Sequence, residues 1–372
     1  MNKTLVSGSW KIATIMGIPI LIHFSWFIAF GLITWSLSTQ YFPKAAPELP
    51  VAAYWIKGTL AALLLFVSVI IHELSHSYIS QKYRIPIASI TLFIFGGVAQ
   101  LKEEPPHPKA EFWVAIAGPI SSFLLSAIFF LIAINTGGGP GALFFYLARI
   151  NFILGAFNLI PGFPMDGGRL LRAALWSKTK DFFRATQKAA AFGQAIALFF
   201  LFLGLLLVFT GSSGGFWLLL LGWFLYMAAQ SSLQQANLHE ILSGIKVKEA
   251  MTRDIVTLNS ALTIEDVVDK YFLRYGYGYG GFPVMDDGKL LGIVTLKEIK
   301  DVPRKDWSKV KVSNILIPHS KKWEVTPDSD LMRALELMIK EDKGRILVIE
   351  DGKVVGLITR NGIARYLRIK GK

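Results

Sequence analysis

Six stretches of this chain are long and apolar enough to cross a bilayer: roughly residues 17–38, 55–78, 112–135, 142–160, 189–210 and 215–232. At that depth every backbone polar group must be satisfied within the segment, so helices are the expected solution. Only 17% of the 372 residues are charged, against about 25% in an average soluble chain. The fourth stretch carries Arg149, Asn151 and Asn158, which predicts a helix turned toward a polar interior rather than lipid. The first, preceded by Lys3 and Lys11, is too long for a signal-peptide core and has no clear small-residue cleavage site, so it reads as a retained span.

A net charge of +13 invites a nucleic-acid reading, but no basic patch is interleaved with aromatics, and no nucleic-acid partner is expected. The basic residues instead flank the apolar stretches. One alternate set of loops holds Lys82, Arg84, Lys102, Lys109, Arg169, Arg172, Lys178, Lys180, Arg184 and Lys188, and the other little beyond Lys44, Glu48 and Lys57. By the positive-inside rule this predicts a multi-pass protein of the cell membrane with both termini cytoplasmic.

Within the second stretch lies His72-Glu73-Leu74-Ser75-His76. Histidines four apart on a helix share a face and stand about 6 Å apart along the axis, a spacing that suits two imidazoles on one tetrahedral metal ion. The glutamate between them is placed to act as a base. Cysteine is absent, so a further ligand must be His, Asp or Glu. The best candidate is Asp166, in Asn158-Leu159-Ile160-Pro161-Gly162-Phe163-Pro164-Met165-Asp166-Gly167-Gly168, where the prolines end a helix and the glycines let the backbone fold back. Between the second and third stretches, Ile85 to Leu101 is rich in β-branched and aromatic residues around Gly96-Gly97, which predicts a small β-hairpin. It is expected either beside the polar site or as a cytoplasmic hairpin with no part in it. His23 reads as a packed polar contact, and His107, His239 and His319 as solvated.

Near Gln230 the composition turns charged and amphipathic, and the remainder of the chain is an internal repeat. Val247–Met251, Ile255–Leu258, Ile264–Tyr271 and Phe282–Thr295 in one half are matched by Val312–Ile317, Trp323–Val325, Leu331–Ile339 and Ile346–Thr359 in the other. Each half ends in strand, Asp-Gly turn, strand. The organisation is thus residues 1–235 in the membrane and 236–372 as a soluble α/β module, with repeats at about 245–305 and 310–370.

The HELSH and NLIPGFPMDGG segments in this order, with weaker support from Gly96-Gly97 and Ala117-Gly118-Pro119, resemble the site-2 proteases, intramembrane zinc metalloproteases. That resemblance implies one zinc ion on His72, His76 and Asp166, Glu73 as the catalytic acid/base, Asn158 near the scissile carbonyl, and a membrane-anchored protein as substrate. Asn158 has an equally good reading as a helix–helix hydrogen bond. The C-terminal repeat resembles a tandem pair of CBS domains, which implies either adenine-nucleotide binding between the repeats or use as a dimerisation or substrate-filtering module. Family pattern puts an acid three residues after the strand-ending Thr: Glu298 stands there after Thr295, but Gly362 after Thr359. Two other classes of function stay open at this stage, a CBS-regulated transporter or channel, which gives Glu73 no purpose, and a structural metal protein, which predicts zinc without turnover.

Overall fold

The computed structural model describes residues 8–101, 103–212, 214–275, 280–320, 323–341 and 343–370. Lys3 and Lys102, two of the basic flanks, lie outside the described residues. The chain divides into two compact units, Met1–Asn237 and Leu238–Lys372.

The first unit opens with strands β1 (Ser9–Ile15) and β2 (Ile18–His23), then helix α1 (Ser25–Ser36), which continues through a π-helical turn at Leu37–Tyr41 and a last helical turn to Ala45. Next come α2 (Val51–Lys82), β3 (Ile87–Phe93), β4 (Gly96–Leu101), α3 (Pro108–Thr136), α4 (Gly138–Asn158), α5 (Asp166–Thr179), α6 (Phe182–Phe209) and α7 (Gly214–Leu242). By length and composition, five helices among the described residues could cross a membrane: α2, α3, α4, α6 and α7. They coincide with five of the six expected spans.

The first expected span differs. Its N-terminal third is strand β2, whose Ile18, Ile20 and Leu21 are buried, and helix begins only at Ser25. An apolar run buried on both faces has no period to separate strand from helix. β2 lies in the middle of a four-stranded sheet of order β1-β2-β3-β4, antiparallel to β1 and parallel to β3 (Leu21↔Thr91). The expected hairpin, β3 with β4, is therefore half of a larger sheet. Its turn falls on Ile94 and Phe95, and the two glycines open β4 instead. β4 is a terminal strand, with one edge unpaired by the sheet.

The helices of this unit turn apolar side chains outward, among them Val67, Leu124, Ile128, Phe199 and Phe202, as a lipid-facing surface requires. Their polar residues point inward. On α2, Ser68, His72, His76 and Ser80 recur every fourth residue and are all buried, giving one polar stripe on an otherwise apolar rod. α4 answers that stripe through Asn151, fully buried, whose Nδ2 donates to Ser68 Oγ at 3.2 Å and to the Leu147 carbonyl at 2.9 Å. Arg149 does not fit the expectation of an inward polar face, since it is exposed and lies over the Tyr41 ring.

The second unit contains two similar halves. In one, β5 (Leu258–Asn259) runs parallel to β6 (Gly281–Asp286), which turns through Asp287-Gly288 into β7 (Lys289–Thr295), followed by the short β8 (Ile317–Pro318). In the other, β9 (Glu324–Val325) leads to helix α8 (Leu331–Lys340), β10 (Arg345–Glu350), β11 (Lys353–Thr359) and helix α9 (Arg360–Ile369). Asp287 and Asp351 have φ of 44° and 48°, and the glycine after each has φ of 75°. This is the left-handed pair that a two-residue hairpin turn requires. Both hairpins carry a bulge at the same place, Val284/Met285 and Val348/Ile349.

One part of the repeat is exchanged. Val247 packs in the core of the second half with Leu331, Ile346 and Ile358, while Val312 packs in the first with Leu258, Val284 and Val294. Thr252 and Leu357 exchange backbone hydrogen bonds at 2.9 and 3.0 Å. Each leading segment thus completes the half to which sequence order does not assign it, a pairing that local pattern cannot reveal.

The turn between α4 and α5 sits directly on α6. A Cβ on Gly193 would lie 2.0 Å from the Phe163 carbonyl oxygen, so bare backbone is the only surface that fits. Gly193→Ala is expected to cost about 1–3 kcal/mol through overpacking, seen as a lowered thermal midpoint in detergent by circular dichroism.

Candidate metal centre

α2 brings His72 and His76 one turn apart onto its buried stripe, and both rings are almost wholly enclosed, at 3% and 5% exposure. Opposite them, α5 begins at Asp166, straight after a turn packed so closely that a Cβ on Gly167 would lie 2.3 Å from the Leu159 and Ile160 carbonyl oxygens. The structure therefore brings three of the sequence-predicted residues together. Asp166 Oδ2 stands 3.2 Å from His72 Nε2 and 3.1 Å from His76 Nε2, and the two Nε2 atoms are 3.1 Å apart. Among the described residues this is the one cluster of His and carboxylate groups arranged as metal ligands.

Helix α3 fixes the rings from behind. His76 Nδ1 lies 2.6 Å from the Val114 carbonyl, which can only accept, so the proton is on Nδ1 and the Nε2 lone pair points into the cluster. His72 Nδ1 lies 2.9 Å from Ser122 Oγ, itself fully buried. Ring orientation by such partners is what metal-bound histidines need.

The donor set fits zinc. Ligand bonds of about 2.0–2.1 Å in a tetrahedron put ligand atoms roughly 3.3 Å apart, close to the spacing found here. Lone pairs from two imidazoles and a carboxylate at that separation repel one another until a cation lies among them. Gly118 leaves the space open: a Cβ there would lie 2.2 Å from His76 Nε2 and 2.6 Å from His72 Nε2.

Glu73, between the histidines, turns toward the sheet. Its Oε2 accepts a hydrogen bond from the Ala99 N–H of terminal strand β4 at 3.1 Å. Gly97 makes room for it, since a Cβ there would fall 2.8 Å from Glu73 Cγ. The β3–β4 pair therefore lies beside the cluster, in agreement with one of the two sequence readings. Asn158 is the last residue of α4 and is not one of the three converging groups. The helix–helix hydrogen bond considered for it is made by Asn151.

The other histidines have structural partners. His23 pairs with Ser25 Oγ at 2.8 Å, as a packed polar contact should. His107 is exposed, as expected, and it also caps α3, its side chain accepting from Ala110 N. His319 pairs with Glu324 at 2.6 Å, and His239 lies on α7 beside Ser243 Oγ. Arg172, counted in the sequence among loop charges, is 6% exposed and ion-paired to a buried Glu111, a residue that no sequence pattern singles out.

Known protein families match both units of the chain. The model of peptidase family M50 matches residues 60–140 and 134–204, and that of the CBS domain matches residues 247–305 and 315–369. Rip3 of Mycobacterium tuberculosis, named as a zinc metalloprotease, is 36% identical over 363 residues, covering 95% of this chain and 92% of the relative. A zinc metalloprotease of Methanocaldococcus jannaschii is 34% identical over 367 residues, covering 97% and 96%. The solved structure of a site-2 protease from the same organism shares 35% identity, covers 60% of this chain and 95% of its own, and superposes with a TM-score of 0.44. The class is that of membrane metallopeptidases carrying a CBS pair. The chain belongs to peptidase family M50.

Gly118→Ala is expected to put a methyl group where the ligand atoms converge and to remove bound zinc while the protein still folds. Metal analysis of the purified protein beside a thermal melt checks this, and a full zinc complement would contradict it.

Proposed function

We propose that the protein is an intramembrane zinc endopeptidase that hydrolyses peptide bonds in or near the spans of membrane-anchored proteins. The observation that carries this reading is the convergence of His72, His76 and Asp166 around the space left by Gly118, with Glu73 alongside. When bound, zinc supplies Lewis-acid polarisation and acidifies water toward a pKa of about 7. In this reading His72, His76 and Asp166 hold it, and Ser122 and the Val114 carbonyl keep both rings aimed. Glu73 takes the proton of the attacking water and returns it to the leaving amine. The Asn158 amide is assigned to steadying the developing oxyanion.

A helical substrate hides its carbonyls in its own hydrogen bonds and must be opened before attack. β4 offers a place to hold the opened segment, because its outer edge is free of sheet pairing and an incoming strand can add there. The Ala99 N–H, directed at Glu73, is one of the donors such a strand would use. Family membership favours this reading over transport, which leaves Glu73 idle.

The multi-pass arrangement with cytoplasmic ends belongs to the same proposal. Taking the helical run Ser25–Ala45 as a crossing makes the number of spans even, and Lys82 and Lys109 then mark one side. The CBS pair is proposed as the regulatory module, sensing an adenine nucleotide or joining two copies in a homodimer. Glu298, the candidate ribose contact, closes a capping box here, accepting from Thr295 N at 3.1 Å, so nucleotide binding would have to compete with that cap.

Cleavage of single-span substrates in liposomes tests the enzyme reading. Glu73→Gln is expected to lower turnover by roughly 10²–10⁴-fold with zinc content unchanged. Equal cleavage by both proteins would end the proposal. Adding ATP or AMP to the same assay reads the CBS module, and neither binding nor a rate change would remove nucleotide sensing. Ala99→Pro removes an outward N–H from a terminal strand, where proline is tolerated. It is expected to raise KM several-fold without loss of zinc, and an unchanged KM would count against strand addition.

A further inference from the structure

One buried ion pair in the first unit has no part in the chemistry of peptide hydrolysis. Glu111, on α3 one turn before Val114, is fully buried, and Arg172 lies on the helix that starts with Asp166. Arg172 Nε donates to Glu111 Oε1 at 2.6 Å, and Nη2 also pairs with that oxygen. Nη1 reaches Thr186 Oγ1 of α6 at 3.4 Å, and Nη2 stands 3.4 Å from Glu104. The guanidinium lies over the rings of Phe163, at 5.0 Å, and Phe182, at 4.5 Å. Arg169 of α5 also stands 3.9 Å from Glu111 Oε1 through its Nε, but it is Arg172 that ties together α3, α5, α6 and the turn that precedes Asp166.

Those are the elements that set the metal centre. α3 orients both imidazoles through Val114 and Ser122, and α5 delivers the carboxylate. The distance between them decides whether three ligand atoms meet at coordinating separation or miss. A planar, rigid fork is suited to fixing such a distance in a way a flexible ammonium is not. Burying a carboxylate and a guanidinium is costly, and apolar residues of like volume could fill the same space, so packing alone does not call for this pair.

We propose that Arg172 and Glu111 are positioning residues for the metal centre, locking the N-terminus of α5 to α3 so that Asp166 meets the two histidines. This rests on the assignment of His72, His76 and Asp166 as zinc ligands, and the test separates the two.

The full-length protein in detergent is titrated with zinc against a chelator and with cobalt by visible absorption, beside a thermal melt and single-span substrate kinetics. Arg172→Lys keeps the charge but loses the fork. It is expected to weaken zinc affinity 10–100-fold, to alter the cobalt spectrum and to lower kcat with KM within about twofold. A Glu111→Leu/Arg172→Met double variant is expected to melt close to wild type yet to keep the weakened zinc affinity. Wild-type zinc affinity and cobalt spectrum in Arg172→Lys, or in the double variant, would overturn the proposal. Asp166→Ala is the separate control: if it binds zinc as tightly as wild type, the ligand assignment itself fails, whatever the Arg172 variants do.

Discussion

Three lone-pair-bearing atoms, two imidazole nitrogens and a carboxylate oxygen, are held 3.1–3.2 Å apart inside a bundle of apolar helices, and the first unit is built around that crowding. No pair among them makes a favourable contact unless a proton or a cation intervenes. The surrounding fold must therefore force the approach. α3 grips each ring from behind, the turn before α5 is compressed against α6, and Gly118 withholds the one side chain that would fill the gap. A scaffold that uses its packing to keep like groups together is one that expects a cation of high charge.

The polar stripe of α2 shows how such a centre survives at membrane depth. Ser68, His72 and His76 would each be costly against lipid, and each is instead answered by a group on a neighbouring helix: Asn151 of α4, Ser122 of α3 and the Val114 carbonyl of α3. The same stripe that supplies the candidate ligands also supplies the hydrogen bonds that hold α2 to its neighbours. Function and helix assembly therefore draw on one set of side chains, and substitution of a ligand is expected to disturb both.

Much of this was legible in the chain. His72 and His76 share a face because of helical spacing alone, the Pro-Gly-rich break before Asp166 announces a backbone that turns back, and the two Asp-Gly turns mark the hairpins of the second unit before any fold is known. What sequence pattern could not show depends on distant partners. β2 is strand because it pairs with β3, whose partner residues stand 70 positions further on, in an environment where an apolar run suits either structure. Arg172 looks like a loop charge until Glu111 of another helix is set against it. Val247 and Val312 sit in each other's expected half because closeness in sequence does not decide which core a segment completes.

On the proposed function, with Glu73 as base and β4 as the edge that takes substrate, the hydrogen bond from Ala99 to Glu73 joins both roles in one place. A base that must move a proton needs to be free when substrate arrives, and an edge strand that must hold substrate needs its outward N–H groups free as well. In the structure each satisfies the other. A substrate strand adding to β4 would offer a carbonyl to that N–H and so displace the Glu73 carboxylate, releasing the base by the same contact that positions the peptide.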